Sequence, residues 1–390
     1  MRWRRVGVML SAGMLMTAGA LAQPVDEVFA GRVQATLDSL RVAEGFPGAT
    51  AAVVGRPRTL HAFATGWADR DDSTRMRPEA RMLGGSTGKS FVAALVLDLV
   101  QRSQLDLDAP IARWLGDRSW FDRLPNADDI TLRHLLRHQS GLLDHIHDPA
   151  FVEAIRAKIE AEGPGAAIQP ETLVSFVLDA EPLFPAGAGY HYSDTNYILA
   201  GLIIEAVTGS NYYDVLQHQL IAPLGLTLTA PATRNDLPGL AAGYIQGEVP
   251  FGLPSKVVQD GALVYNPVTE WTGGGLVTNA QDLARWARML YEGEALSGNY
   301  LSELLDAVPK DSTQQARHGP DVRYGLGVTI YSTPLGVAYG HEGWTPGYLS
   351  IFAYYPDYKI AVAMQVNALG PYDMASYAVH LAQSARDALH

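Results

Sequence analysis

Apolar side chains at Val25, Phe29, Val33, Leu37 and Leu40 recur every three or four residues and trace one face of an amphipathic helix. Two short apolar runs follow at 48–55 and 59–68, and Arg56-Pro57-Arg58 between them predicts a strand, a turn and a second strand. The period then becomes helical over 86–100, 131–138, 151–162, 171–178, 195–207, 212–221 and 281–291, with Gly141 and Gly209 placed where such helices would stop. Beyond Arg323 it changes again, to strand-like runs at 324–331, 337–340, 348–355 and 359–367 and a closing helix over 372–389. Pro356-Asp357-Tyr358 is a turn signal between two of those runs, which favours antiparallel hairpins. The simplest assembly is α/β: an antiparallel sheet built from both chain ends and flanked by helices, plus an inserted all-α domain. Residues 23–82 and 322–390 would form the α/β sandwich and 83–321 the mainly helical domain. The stretch 228–275 is rich in Pro and Gly, has little periodicity, and reads as a long functional loop. Ligand binding is expected in the cleft between the two layers.

The first 22 residues stand apart. Arg2, Arg4 and Arg5 precede an apolar run that ends in Ala20-Leu21-Ala22, the pattern of a cleaved signal peptide. About 16 apolar and small residues fall short of the roughly 20 that a spanning helix needs, so no stable membrane insertion is expected after cleavage, and the product should be secreted or periplasmic. The composition is that of a folded enzyme, with 47% hydrophobic and 18% charged residues over 390 positions. A net charge of −12 without a basic cluster argues against a nucleic-acid partner. The chain has no Cys, which removes disulfides, thiol nucleophiles and thiolate metal sites.

Three chemistries compete for Gly84-Gly85-Ser86-Thr87-Gly88-Lys89-Ser90. A phosphate-binding loop would need glycine where Leu83 stands. The nucleophile elbow Gly-x-Ser-x-Gly requires a buried strand just before the serine, and Ala80-Arg81-Met82-Leu83 makes a poor one. In the third reading, Ser86 and Lys89 lie three residues apart at the start of an apolar helix, hence on one face and within reach of each other. Burial there would desolvate the lysine amine and favour its basic form, and the N–H groups of the helix start suit an oxyanion. A capping serine beside a snorkelling lysine is the bland alternative.

Two downstream segments favour the third reading, Tyr192-Ser193-Asp194 and His341-Glu342-Gly343. With them the chain resembles the serine β-lactamase-like family, which holds class C β-lactamases, D-alanyl-D-alanine carboxypeptidases and secreted esterases. Further matches are Leu107-Asp108-Ala109-Pro110, 130–136, Ser140-Gly141-Leu142, Gly274-Gly275-Leu276 with Asp282-Leu283-Ala284, and Tyr324-Gly325-Leu326-Gly327. The resemblance implies the β-lactamase/penicillin-binding-protein fold and a serine hydrolase that forms an acyl-enzyme on small ester or amide, peptide-like substrates. It needs no cofactor and no metal. Ser86 would be the nucleophile, Lys89 and Tyr192 the pair that moves its proton, and the N–H groups of Ser86 and Trp344 the oxyanion hole. Asp194, His341, Gly343, Trp344 and His145 would contact the small-molecule or peptide substrate.

Two departures bear on substrate. The third motif begins with His341 where class C β-lactamases have lysine, and the second ends in Asp194 where asparagine is usual. An unperturbed histidine is mostly neutral at pH 7, so a substrate carboxylate would lose a charged partner there. Esters, or amides whose carboxylate is absent or bound elsewhere, are therefore expected over β-lactams. A D-alanyl-D-alanine carboxypeptidase, a weak β-lactamase and a non-catalytic binding protein on the same scaffold are the alternatives. His134, His138, His145 and His147 cluster in sequence but lack the intervening glutamate of a zinc-binding helix.

Overall fold

Strands from the two ends of the chain join side by side in one nine-stranded sheet. The structure, a computed structural model, describes residues 22–55 and 58–389. The N-terminal part supplies β1 (Gly48–Val54), β2 (Leu60–Asp69) and β3 (Thr74–Arg75). The C-terminal part supplies β4 (Val308–Pro309), β5 (Arg323–Tyr324), β6 (Thr329–Thr333), β7 (Gly336–Thr345), β8 (Tyr348–Tyr355) and β9 (Ile360–Val366). Their order is β4-β5-β6-β7-β8-β9-β1-β2-β3, antiparallel throughout, and Ala49 of β1 joins the two halves by facing Val366 on one side and Thr65 on the other.

Both faces of this sheet are covered, which explains why its central strands are nearly continuous apolar runs rather than alternating ones. Ala51 and Val53 of β1, Ile351 of β8 and Met364 of β9 point to one core, shared with helices α1 (Ala22–Glu44) and α6 (Met374–Leu389). Ala52, Val54, Phe352 and Ala363 point to the other. That second core contains α2 (Lys89–Gln101), α3 (Pro149–Glu162), α4 (Asp194–Thr208) and α5 (Ala280–Tyr291). Helix α2 is buried from Lys89 to Leu99 on every side, as expected of a helix sandwiched between layers. Phe91 stacks on Trp286 of α5 at 4.1 Å, and the Trp286 indole N–H donates to Ser90 Oγ at 2.9 Å, fixing the start of α2.

Three sequence expectations change in detail. The run 324–331 is two strands, because Gly325-Leu326-Gly327 turns inward and drives Leu326 into the helical core. Ser86 is not on the α-helix itself but in a 3-10 turn, Gly85–Gly88, that feeds it. A buried two-residue strand, Met82–Leu83, does precede the serine, but it pairs with Leu276–Thr278 in a small separate sheet rather than in the main one. The leader expected at 1–22 lies outside the described residues except for Ala22, as do Arg56 and Pro57 of the expected turn. No helix among the described residues is long and apolar enough to cross a membrane.

Candidate active site

Ser86 sits half-buried where the 3-10 turn meets α2, and the fully buried Lys89 is three residues further on the same face. Lys89 Nζ donates to Ser86 Oγ at 2.9 Å and to the Gly273 carbonyl at 2.5 Å, and it lies 2.5 Å from Asp194 Oδ1. Two directed acceptors and one carboxylate contact surround the ammonium. The expectation of a merely desolvated amine therefore needs correction, because Asp194 at the start of α4 supplies a counter-charge.

The Tyr192 phenol hydrogen-bonds Ser86 from the other side, and its ring centroid is 5.1 Å from Lys89 Nζ. Hydroxyl, ammonium and phenol thus converge from two distant segments. Burial first, then the Asp194 charge, raises the phenol well above its ordinary range, while the bond to Ser86 pulls the other way. Tyr192 rests on the His138 ring, 4.1 Å between centroids. His138 is itself held by the Ser193 N–H and the Asn196 side-chain amide, both 3.2 Å from Nδ1. The Ser140 hydroxyl donates to Asn196 Oδ1 at 2.6 Å, and the Ser193 and Thr195 hydroxyls donate to the Leu143 carbonyl. The segment 140–143 and the start of α4 are therefore one hydrogen-bonded unit, and that unit sets the direction of the phenol.

The third motif lies on β7, whose far half pairs only with β8, leaving its other edge against the Ser86 turn. Thr345 faces Tyr348 across a two-residue hairpin loop, so alternation turns the Trp344 N–H away from β8 toward that turn. Close approach demands glycine here. A Cβ on Gly343 would overlap the Gly84 carbonyl, and one on Gly85, whose φ is +53°, would stand 2.6 Å from Trp344 N. His341 is buried, and both its ring nitrogens are used: Nδ1 faces the Glu342 carbonyl at 2.5 Å and Nε2 faces the Tyr324 hydroxyl at 2.8 Å. The carbonyl can only accept, so Nδ1 carries the proton and Nε2 accepts from tyrosine. Burial lowers this imidazole to about 3, leaving it neutral.

Two cavities meet at Ser86, Tyr192 and the exposed Trp344. The first, about 520 Å³, has apolar walls from Phe151, Ile155, Phe251 and Leu253 and a floor bearing Asp144, Asp194 and Glu270. Burial and then Asp194 raise the Asp144 carboxyl well above its usual range, and the same causes push Glu270 up to about 7. The second, about 620 Å³, is bordered by His341, Gly343, Thr329, Lys310 and Arg317. Of the residues expected from sequence, Ser86, Lys89, Tyr192, Asp194, His341, Gly343 and Trp344 gather here. His145 does not. Its ring turns into the core against Phe151 and Thr195 Oγ1, and burial lowers it to about 4, while its neighbours Asp144, Ile146 and His147 face the cavity. Glu270 and Lys310 were missed. Glu270 lies inside the 228–275 stretch that sequence marked as functional, just before Trp271, whose φ of +38° marks a strained backbone. His134 serves as a helix cap, taking the Thr131 N–H at Nδ1, and no group of three or more metal-ligating side chains occurs among the described residues.

A serine bonded to a lysine one turn on and to a distant tyrosine, on a two-layer α/β scaffold, defines a class of serine hydrolases that act on amides and esters. The chain belongs to the beta-lactamase family, whose family model matches residues 25–386. It is similar to penicillin-binding protein 4* of Bacillus subtilis, 24% identical over 344 residues, 84% of this chain and 69% of that one. Among solved structures it is similar to a D-stereospecific amidohydrolase from Streptomyces sp., with a TM-score of 0.76, 28% identity and coverage of 90% and 97%. A D-amino acid amidase from Ochrobactrum anthropi complexed with D-phenylalanine gives a TM-score of 0.75, 25% identity and coverage of 93% and 99%.

Proposed function

We propose that this hydrolase cleaves small peptide-like amides and esters through an acyl-enzyme on Ser86. The observation that carries the reading is the convergence of Lys89 Nζ and the Tyr192 phenol on Ser86 Oγ, at the junction of the two cavities. Ser86 Oγ bonds the carbonyl carbon while the Lys89 ammonium steadies the charge that develops on that oxygen. Tyr192 accepts the serine proton as it passes its own to the leaving nitrogen or oxygen, so its raised pKa is no obstacle: the phenol never has to ionise. The N–H groups of Ser86 and Trp344 hold the carbonyl oxygen. Water then adds to the acyl ester by the reverse relay, Ser86 regains its proton and the acid leaves.

The first cavity fits an acyl group with a large apolar side chain beside a cationic amine, since carboxyl groups gather at its floor and apolar side chains form its walls. The likeness to a D-stereospecific amidohydrolase and a D-amino acid amidase supports the same class, amides of amino acids. The Arg-rich, apolar N-terminus supports export, so the mature chain would begin near Gln23 and work outside the cytoplasm. Labelling with a fluorophosphonate, mapped by mass spectrometry, should fall on Ser86. A parallel assay of a short-chain p-nitrophenyl ester, phenylalaninamide of both configurations and nitrocefin should rank nitrocefin last. Efficient nitrocefin turnover would refute the preference, and an unlabelled Ser86 would refute the mechanism.

A further inference from the structure

Lys310 is 7% exposed, and its ammonium reaches the cavity on the His341 side of Ser86. Among the described residues no carboxylate lies within 4 Å of its Nζ and no hydrogen-bond acceptor serves it. The Tyr324 ring centroid lies 5.6 Å away. The other cations at the site are matched: Lys89 has two acceptors and the Asp194 carboxylate, and Arg317 donates to Glu342 at 3.0 Å. A ring face satisfies none of the N–H bonds of an ammonium, and the Glu342 and Asp311 carboxylates act on it only from beyond ion-pair distance. His341 cannot supply charge in this cavity, because it is neutral and both its nitrogens are engaged. The two cavities differ in lining: Asp144, Asp194 and Glu270 line the first, while the second holds Lys310 with the Arg317–Glu342 ion pair and Asp373.

We propose that Lys310 receives the carboxylate of the leaving amino acid, so that the preferred substrates are zwitterionic short peptides, with the ammonium in the acid-floored cavity and the free C-terminus at Lys310. This rests on the acyl-enzyme reading above and assigns the two halves of its substrate. Charge decides the direction: in a dipeptide the amine belongs to the acyl half and the carboxylate to the leaving half. Ser86 Oγ bonds the carbonyl carbon, the C–N bond breaks, and the proton relayed through Tyr192 completes the amino group of the departing amino acid. Water releases the second amino acid from Ser86 with a new carboxylate.

The test compares kcat/KM for phenylalanyl-alanine with that for its C-terminal amide, in each configuration, for the wild type, Lys310→Met and Lys310→Arg. The free acid should be favoured by roughly 10- to 100-fold in the wild type, chiefly through KM. Lys310→Met should bring the ratio near one, and Lys310→Arg should restore most of it. Because the ratio is internal to each protein, a general loss of folding does not mimic the result. A wild-type ratio near one, or an undiminished ratio in Lys310→Met, overturns the assignment. If neither peptide is cleaved, protection of Ser86 from fluorophosphonate labelling by the free acid and not by the amide supports it, and equal protection overturns it. Absence of labelling at Ser86 instead brings down the acyl-enzyme reading itself.

Discussion

Lys89 Nζ and Asp194 Oδ1 lie 2.5 Å apart with almost no access to water, although one residue opens α2 and the other opens α4. The contact is a charge pair without hydrogen-bond alignment, since Asp194 Oδ1 has no aligned donor, and Gly273 and Ser86 take the directed bonds of the ammonium. The pair therefore holds the two motifs together beside the nucleophile.

Removing the carboxylate should cost more than the pair contributes, because Lys89 is left buried and uncompensated. Asp194→Ala is expected to lose about 3–5 kcal/mol of unfolding free energy. Asp194→Asn, which keeps an oxygen in place, should lose less. Urea unfolding of the two variants checks the order, and an Asn variant as unstable as the Ala variant would count against a charge-solvation origin.

The relay through Tyr192 predicts a dependence on leaving group. Tyr192→Phe should reduce kcat/KM by about 10²- to 10⁴-fold on an amide, whose nitrogen must be protonated to depart. The loss should be much smaller on a p-nitrophenyl ester, whose leaving group departs as an anion. Equal losses on both substrates would mean that the phenol acts on Ser86 alone and does not protonate the leaving group.

Glu270 gives a pH dependence with a definite sign. Burial and the nearby Asp194 hold this carboxyl up to about 7, so it is neutral below that value and an anion above it. Binding of a cationic acyl group should strengthen as pH rises from 6 to 8, seen as a falling KM for phenylalaninamide, with the amine's own titration limiting the gain at the upper end. In Glu270→Gln the KM should stay nearly flat over the same range. For folding the sign is opposite: a carboxyl raised above its unfolded value favours the native state at low pH, and that contribution is lost as pH rises toward 7.

Sequence carried the nucleophile and its partners because their chemistry is local or rides on short motifs: Ser86 and Lys89 share one helical turn, and Tyr192 precedes a helix whose first residue pairs with Lys89. It carried the sheet because apolar runs at both ends match strands buried on both faces. It failed where direction within a turn decides. Asp144, His145, Ile146 and His147 are consecutive, yet the short 3-10 turn sends His145 inward and the other three toward the cavity. It also failed where an isolated charged residue in an irregular segment acquires meaning only from what lies across the cleft, as with Glu270 and Lys310. The loss of lysine at position 341 was legible; the cation that replaces it enters from the β4 side of the sheet, and no periodicity links the two positions.

That separation leads to a pH test of the carboxylate assignment. Burial lowers the Lys310 amine to about 8; Glu342 and Asp311 pull it upward and Arg317 pushes it down. The ammonium is therefore present below about pH 8 and lost above it. The ratio of kcat/KM for phenylalanyl-alanine to that for its amide reports the free enzyme, and it should fall by about tenfold per unit above pH 8 until the preference is gone. The α-amino group of the substrate titrates in the same range, but it is shared by both peptides and largely cancels in the ratio. Lys310→Arg supplies the control, since a guanidinium keeps its charge well beyond this range. Its ratio should remain level from pH 7 to 10, and a parallel decline in the arginine variant would move the titration to some group other than Lys310.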